Sequence, residues 1–275
     1  MELIRNEELL YVGKRVNLEI DEIRYGLLDS EWNLQNLRAS FTRVYFPLEG
    51  EGILTFGDET VTIRKGNIYI VPSELNFSGF CPKYLNKIYV HLTLRHPDGS
   101  DLLAGIDHCL VLPDSEKRIA EVERLYATPD LRSVLRLKQL LYEILLDALA
   151  IAPTRDLSIK SYSKTTKAVL SYIDEHLHAS LTIDEIASAL FLSKLALQKK
   201  FREELGKPIG TYVDDCLMAR AEILLLERRM TVKEVGDRLG FCDQFYFSRK
   251  FSQYHGISPR RFRQIHCTHR DDFLS

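Results

Sequence analysis

A short sequence pattern occurs twice in the last third of this 275-residue chain. The first copy covers residues 182–206 and the second covers residues 231–256. Matching positions differ by 49 residues as far as Leu192 and Phe241 and by 50 afterwards, so the second copy has gained one residue in its central turn. Two copies of one unit predict one physical task performed at two adjacent places.

Each copy has the pattern of a helix, a tight turn and a second helix. Thr182 and Thr231 are expected to cap the first helices, with Glu185 and Glu234 completing capping boxes three residues later. Gly240 is expected to take a positive φ in the second turn. In the second helices, apolar residues four apart predict one buried face, formed by Leu197 and Phe201 in the first copy and by Phe247 and Phe251 in the second.

The opposite face of each second helix is hydrophilic and partly basic. A helix, a tight turn and a second helix with outward donor side chains predict a helix-turn-helix, whose second helix enters the DNA major groove. A helical solenoid is the alternative, but solenoids need about three or more units, and a long helix at 210–226 separates these two. The outward side chains are Lys194, Gln198, Lys199 and Arg202 in the first copy and Gln244, Ser248 and Arg249 in the second.

Residues 165–265 resemble the AraC/XylS family of bacterial transcription regulators. The resemblance is carried by 181–187, 197–206, 219–226 and 235–263. It implies that the second helices are reading helices that lie in successive major grooves, about 34 Å apart. It also implies base contacts by Leu195, Gln198 and Lys199 of the first reading helix and by Gln244, Phe245, Ser248 and Arg249 of the second. The chain departs from the family pattern at Lys194, where proline is usual, and at Ala196, where an aromatic is common.

The residue types of both reading helices suit base recognition. Glutamine can pair with adenine through two hydrogen bonds, and arginine or lysine can pair with guanine in the same way. Leu195 and Phe245 are expected to contact thymine methyl groups. Residues 1–164 carry 20 Lys/Arg and 24 Asp/Glu, whereas 165–275 carry 17 and 15. The DNA-binding part is therefore weakly basic, which predicts a salt-dependent affinity for double-stranded DNA.

Cysteine usage and hydropathy favour a cytoplasmic protein with no membrane association. The chain starts without the basic segment and apolar run of a signal peptide, and no stretch approaches the roughly 20 apolar residues that cross a bilayer. The cysteines lack CxxC spacing, so free thiols are expected rather than a disulfide framework or a metal cluster. They are Cys81, Cys109, Cys216, Cys242 and Cys267.

The first hundred residues alternate between β-rich runs and turn signals, which predicts an antiparallel barrel or a double-sheet jelly roll. The resemblance extends to the cupin-like sensor barrel that precedes the DNA-binding part in many family members. The expected fold class is therefore α+β in two domains: an amino-terminal antiparallel β-barrel with helices, and an all-α domain of two helix-turn-helix units joined by a long helix. The predicted strands are 41–48, 53–56, 60–63, 68–72 and 87–94, with turns at 49–52, 57–59 and 64–67.

The barrel lacks the pattern of a catalytic cupin. Such enzymes hold a metal with two histidines one residue apart, a carboxylate and a later histidine, whereas here His91 stands alone and His96 lies beyond its strand. No catalytic residue, metal or cofactor is therefore expected. A barrel of this size can hold one small molecule, so a small-molecule effector is expected in its mouth.

Six side chains are candidates for binding this effector. Trp32 can stack on a sugar ring, and Arg43 and Glu49 can bond hydroxyl groups; the family resemblance favours a sugar or a derivative. Tyr45 and Tyr89 have the alternative of being wall residues with outward hydroxyls, and His91 that of a core histidine. The candidates are Trp32, Arg43, Tyr45, Glu49, Tyr89 and His91.

Two helical segments follow the barrel. Residues 115–127 have Ile119, Val122 and Leu125 on one stripe, and a longer leucine-rich helix is expected from Pro129 to Leu149. The resemblance implies that the longer helix forms an antiparallel homodimer seam; burial against the barrel is the alternative. The expected domains are 1–112 (effector barrel), 113–150 (dimerisation), 151–164 (linker) and 165–275 (DNA binding).

The resulting hypothesis is a transcription regulator whose effector changes the contacts among barrel, linker and partner subunit. At a promoter it is expected to contact RNA polymerase and to activate. Two alternatives remain open: a regulator without an effector, whose barrel serves only for dimerisation, and an enzyme that its DNA-binding part localises.

Overall fold

The computed structural model describes residues 6–96, 101–152, 162–226 and 230–266. These residues form two compact units. The first, which we call the sheet unit, contains 10–96 and 101–152; the second, the helical unit, contains 162–226 and 230–266 together with 6–9. Most of the predicted linker, 153–161, lies outside the described residues, as do Cys267 and the rest of the carboxyl end.

The sheet unit contains eight antiparallel strands and two long helices. A short helix, α1 (Glu7–Gly13), precedes the strands, and its first residues are grouped with the helical unit. The strands are β1 (Asn17–Asp29), β2 (Asn33–Leu37), β3 (Thr42–Phe56), β4 (Glu59–Arg64), β5 (Ile68–Val71), β6 (Phe77–Phe80), β7 (Tyr84–Arg95) and β8 (Leu110–Leu112). The helices α2 (Glu116–Ala127) and α3 (Leu131–Ile151) follow.

The long strand β3 takes part in both halves of the sheet. Its first half lies between β7 and β5 in the order β1-β7-β3-β5-β8, and its second half pairs with β4 and β6. Strand β6 also pairs with β2. The antiparallel sheet with helices that we expected is confirmed, and all pairings are antiparallel. A pairing that would close the sheet into a barrel is not among those of the described strands.

The turn that we predicted at 49–52 is wrong, because β3 runs through it without a break. The register of β3 against β7 shifts between Pro47 and Glu49, which is a local bulge rather than a chain reversal. Gly50 has a φ of +75°, and a Cβ on it would lie 2.2 Å from the Tyr84 carbonyl oxygen. Glycine is therefore required here for a bulge that bends the strand from one half of the sheet into the other.

Alternate residues of β3 and β7 face the two helices. Val44 and Phe46 of β3 and Ile88 and Val90 of β7 are fully buried in one apolar core with residues of α2 and α3. The stripe predicted on α2 is confirmed, since its buried residues are Ile119, Val122 and Leu125. The intervening residues of the strands therefore point to the opposite side of the sheet.

Helix α3 divides its leucines between two faces. Asp130 caps the helix by accepting the Ser133 N–H at 2.7 Å, so Pro129 precedes the helix rather than beginning it. The buried face contains Leu137, Leu140, Leu141, Ile144, Leu145, Ala148 and Leu149. The alternative of a wholly buried helix is wrong in this unit, because Leu131 is 75 % and Leu146 is 65 % exposed.

The helical unit contains the two copies of the repeat and the helices around them. Its helices are α4 (Lys164–Glu175), α5 (Ile183–Ala189), α6 (Lys194–Leu205), α7 (Ile209–Leu226), α8 (Val232–Arg238), α9 (Gln244–His255) and α10 (Pro259–His266). The first copy forms α5 and α6, the second forms α8 and α9, and α7 connects them, as expected. The interior of the helical unit includes large aromatic side chains, among them Phe201, Phe247, Phe251 and Phe262.

Candidate functional site

The first helix of each copy begins at the predicted threonine. The hydroxyl of Thr182 accepts the Glu185 N–H at 3.1 Å, and that of Thr231 accepts the Glu234 N–H at 3.2 Å. The capping box is complete at Thr231, whose N–H donates to the Glu234 carboxylate at 2.6 Å. In the first copy the Glu185 carboxylate instead lies 3.7 Å from His178 Nε2, so the box predicted there is not formed.

The turns of the two copies share one backbone conformation with different residues. Gly240 has the predicted positive φ, at 76°, and Phe191 at the matching position has a φ of 55°. The sequence reasoning missed this, because Phe191 lacks the glycine signal although the 49-residue offset aligns it with Gly240. The Phe191 side chain is 95 % exposed. The first copy therefore keeps the turn despite the strain of a left-handed non-glycine residue.

The caps of the second helices identify the extra residue in the repeat. The Ser193 side chain caps α6 through the Ala196 N–H, and the Asp243 side chain caps α9 through the Tyr246 N–H. These two caps differ by 50 positions, whereas Leu192 and Phe241 differ by 49, so the inserted residue is Cys242. Both helices end in a left-handed glycine, at Gly206 and Gly256.

The second helices present the same chemistry at matching outer positions. Leu195 of α6 is 79 % exposed, and its counterpart Phe245 of α9 is 75 % exposed. Lys199 and its counterpart Arg249 are both exposed cations. The buried faces are confirmed, since Leu197, Phe201, Phe247 and Phe251 are each at most 1 % exposed. Of the other candidates, Lys194, Gln198, Arg202 and Gln244 are exposed and Ser248 is half-buried.

Two of the candidate cations of α6, Lys194 and Lys199, have acidic neighbours. The Lys194 ammonium lies 2.7 Å from the Asp184 carboxylate of α5, and the Lys199 ammonium lies 4.0 Å from Glu203. The first contact joins the two helices of the first copy, so Lys194 has a structural task as well as a place on the outer face. The second is an exposed pair, which contributes little to stability.

Helix α7 holds both copies through its acidic side chains. Asp215 accepts hydrogen bonds from Lys207 at 2.8 Å and from the Tyr254 hydroxyl at 2.9 Å. Asp214 binds the Lys250 ammonium of α9. Lys207 follows α6, so Asp215 connects the end of α6 to α9. None of these contacts involves the outward candidates of α6 and α9.

The sheet unit contains a second group of candidates on the side of the sheet that faces away from α2 and α3. In the strand register Arg43 lies opposite His91, Tyr45 opposite Tyr89, and Pro47 opposite Lys87. On the next strand Glu22 lies opposite His91. We call this surface the inner polar face; its members are Glu22, Arg43, Tyr45, Lys87, Tyr89 and His91, all buried or nearly so.

Most of the predicted effector-binding residues lie on or beside the inner polar face. Arg43, Tyr45, Tyr89 and His91 belong to it, and Trp32, which is 6 % exposed, has its ring 4.5 Å from the Lys87 ammonium. Glu49 stands apart on the surface, where it accepts hydrogen bonds from Tyr84 at 3.1 Å and Asn86 at 3.3 Å. The bulge between Pro47 and Glu49 explains this, because it changes the direction of side chains along β3.

Burial controls the charge of the face. Nδ1 of His91 lies 3.1 Å from the Glu22 carboxylate, but burial lowers the pKa of His91 to about 4. Burial also raises the pKa of Tyr45 to about 12. The nearby His91 and Arg24 hold the pKa of Glu22 below its ordinary value, although burial acts against them. At neutral pH His91 is therefore uncharged and Glu22 is ionised. This pairing supports the alternative of His91 as a core residue.

Lys87 is a buried residue that the sequence reasoning missed. It is 2 % exposed, and its ammonium lies 3.5 Å from the Tyr45 ring centroid and 5.8 Å from that of Tyr89. Burial lowers the pKa of Lys87 to about 7, and the charge of Arg43 acts in the same direction. One sequence signal could have placed Lys87 on this face. It is spaced two and four residues from Tyr89 and His91, and residues at this spacing lie on one side of a strand.

The described residues contain no group of three His, Cys, Asp or Glu side chains that could hold a metal ion. Among them, Cys81, Cys109, Cys216 and Cys242 are not joined in disulfides. Nor do the described residues include a helix with the length and apolar character that crossing a membrane requires.

Known proteins share both the helical repeat and the two-unit architecture. The family described as "Helix-turn-helix domain" matches residues 186–265. The Msm operon regulatory protein of Streptococcus mutans is 26 % identical over 234 residues, covering 80 % of this chain and 83 % of that protein. The arabinose operon regulatory protein of Escherichia coli is 38 % identical over 93 residues, covering 34 % of this chain and 32 % of that protein.

The fold of the whole chain resembles that of ToxT from Vibrio cholerae. The TM-score is 0.54 at 13 % identity, covering 89 % of this chain and 98 % of that one. This likeness concerns the fold, while the sequence relatives are named as regulators of operons. Residues 186–265 of this chain are thus a helix-turn-helix domain, and the chain is similar to transcription regulators of the AraC/XylS family.

Proposed function

We propose that this regulator reads two adjacent DNA segments through α6 and α9 and activates transcription in response to a small metabolite bound by the sheet unit. The observation that carries the DNA-reading part is the match between outer positions of the two helices. An exposed apolar side chain, Leu195 or Phe245, is followed four residues later by an exposed cation, Lys199 or Arg249.

The exposed apolar residues are the strongest support for base contact. A large apolar side chain that is three-quarters exposed costs free energy in water, and it occurs at the same place in both copies. A thymine methyl group in the major groove is a partner of suitable chemistry. The proposed contacts also include Lys194, Gln198, Arg202, Gln244 and Ser248, which offer hydrogen-bond donors to bases or phosphates.

We expect Arg249→Ala to weaken binding to the cognate operator by about 1–3 kcal/mol and to relax the preference at one base pair. The reason is the loss of a guanidinium that can bind guanine through two hydrogen bonds. Gel-shift titrations against a panel of single-base operator variants measure both effects.

Arg220→Ala on the connecting helix α7 is the matched control, because Arg220 is also exposed but lies outside α6 and α9. It should leave the base preference unchanged. An Arg249→Ala protein with the wild-type affinity and base preference would contradict the assignment of α9 as a reading helix.

The inner polar face supports the proposal of an effector. It combines aromatic rings with buried charged groups, which is the composition of a small-molecule site. A sugar or sugar derivative is the class that the family resemblance favours, and one relative is named for an arabinose operon. A ligand can shift the regulator between states only through its differential affinity for them, so an effector must change operator binding or transcription by a measurable factor.

The exposed face of α3 supports a homodimer. Leu131, Leu135 and Leu146 are each more than half exposed and lie along one side of this helix. Covering such a stripe with the same helix of a second copy removes apolar surface from water. Contact of the bound dimer with RNA polymerase completes the proposed route to activation.

The second candidate is a regulator without an effector, in which the sheet unit serves only for dimerisation; the exposed stripe of α3 is the observation that favours it. Transcription from a reporter promoter, measured with and without metabolite extracts, separates the two. The proposed function requires a metabolite-dependent rise in transcription that needs Arg249. Activity that no metabolite fraction changes would favour the second candidate.

A further inference from the structure

The inner polar face contains two cations in the interior of the sheet unit. Arg43 and Lys87 are each 2 % exposed. The Arg43 guanidinium lies 4.6 Å from the Phe41 ring centroid and 5.1 Å from that of Phe77. A buried cation is costly unless an anion or several hydrogen-bond acceptors compensate it.

The surroundings of Lys87 are aromatic. Its ammonium has three donors, and its recorded neighbours in the described part of the chain are the rings of Tyr45, Trp32 and Tyr89, at 3.5, 4.5 and 5.8 Å. No ion pair of Lys87 is found among the described residues. Ring faces attract a cation, but they accept no conventional hydrogen bonds and carry no net charge.

Glu22, the carboxylate on this face, lies beside Arg24 and His91. Glu22 contacts the Arg24 guanidinium through one oxygen and lies 3.1 Å from His91 through the other. In the strand register Glu22 lies opposite His91, and Lys87 lies four residues before His91 on β7. Glu22 therefore compensates Arg24 at one end of the face, and the region around Lys87 retains a positive charge.

We propose that Lys87, with Arg43 as the second cation, binds the carboxylate of a small organic acid whose body lies against Trp32, Tyr45 and Tyr89. This assignment rests on the proposed effector-binding function and specifies the chemistry of the effector. A neutral sugar could accept hydrogen bonds here but could not neutralise the buried charge. A carboxylate does both, because its charge-assisted hydrogen bonds to lysine and arginine are the stronger kind.

The titration of Lys87 agrees with this geometry. Burial, with a contribution from Arg43, lowers the pKa of Lys87 to about 7 in the ligand-free chain. A carboxylate bound beside the ammonium would raise that pKa again, so acid binding is expected to take up a proton near and above pH 7. The rings supply flat apolar walls for an aromatic, aliphatic or sugar-ring body.

Trp32 makes the test direct, because it is the one tryptophan of the chain and its ring centroid lies 4.5 Å from the Lys87 ammonium. We would titrate the full-length protein at pH 6.5 with three matched pairs: benzoate and benzamide, octanoate and octanamide, galacturonate and galactose. The expected result is a saturable change in Trp32 emission with an acid, and at least tenfold weaker binding of its neutral partner. The responding pair identifies the body as aromatic, aliphatic or sugar-like.

Lys87→Met and the surface control Lys83→Met complete the test. Lys87→Met should weaken acid binding at least tenfold, whereas Lys83→Met, exposed just before β7, should bind as the wild type does. Ligand-free Lys87→Met should also unfold at a higher temperature than the wild type, because a buried charge has been removed. A purely structural cation would give the opposite, a lower unfolding temperature. A lower unfolding temperature of Lys87→Met would overturn the proposal. So would the absence of saturable binding for all three acids, or equal binding of an acid and its neutral partner.

Different results would refute the effector function and the carboxylate site. An acid that binds at Trp32 and leaves both operator affinity and reporter transcription unchanged would refute the effector function while the carboxylate site stands. A neutral metabolite that changes operator affinity and binds Lys87→Met as it binds the wild type would support the effector function and overturn the carboxylate site.

Discussion

Replacing Phe251 with alanine should destabilise the helical unit by about 3–5 kcal/mol, because a fully buried aromatic ring leaves a cavity. Phe251 lies on the inner side of α9 with its ring centroid 5.4 Å from Phe262 and 5.9 Å from Phe247. Its loss removes one of the ring contacts between α9 and α10, as well as part of the interior of the second copy. Urea unfolding followed by far-UV circular dichroism measures the change.

Phe245→Ala is the matched control on the same helix. Phe245 is the same residue type but is 75 % exposed, so its truncation should change the free energy of unfolding by no more than about 0.5 kcal/mol. It should nevertheless weaken operator binding, because the proposed thymine contact is lost. Similar stability losses in the two variants would mean that α9 is oriented differently from the structure.

The stability of the sheet unit should rise between pH 7 and about pH 10 through the titration of Lys87. Burial lowers its pKa to about 7 from an ordinary value of 10.5, so in this window the unfolded chain binds a proton that the folded chain has released. The penalty for the buried charge is fully present below pH 7 and disappears as the pH approaches the unfolded value. A shift of this size corresponds to a few kcal/mol, on the order of 1.4 kcal/mol per pKa unit.

Other buried groups titrate around this window, so the measurement compares the wild type with Lys87→Met. Burial raises the pKa of Cys81, and it raises those of Tyr45 and Cys109 to about 12; all three lower stability at high pH. His91, with a pKa of about 4, titrates below the window. Urea unfolding followed by Trp32 emission should show Lys87→Met more stable below pH 7, with the difference vanishing near pH 10. A pH-independent difference would contradict a charged Lys87 in the folded chain.

The repeat made the helical unit predictable from sequence. Its apolar spacing fixed which side of α6 and α9 is buried, and Leu197 and Phe251 show that this spacing needs no tertiary information. The turn conformation at Phe191 was not predictable in the same way, because phenylalanine carries no sequence signal for a left-handed backbone. The position of the inserted residue, Cys242, became clear only from the hydrogen bonds of the two caps.

The sheet unit was less predictable, because its strands depend on long-range pairing. Strand β1 is half-buried along most of its length, and its hydrophobic pattern is interrupted by Glu22 and Arg24. Gly50 signals a turn locally, yet the pairing of β3 with β7 makes it a bulge. Lys87 reads as a surface residue by type, and its burial follows from the sheet and from the three aromatic rings around it.

The central claim is that both reading helices contact DNA at once, and footprinting on a selected operator tests it most directly. Hydroxyl-radical and methylation footprints of the full-length protein should show two protected segments on one face of the duplex. Their centres should be about 10 base pairs apart, the separation of successive major grooves. Lys199→Ala should weaken protection of one segment and Arg249→Ala that of the other. A single protected segment, or two segments on opposite faces, would contradict the account.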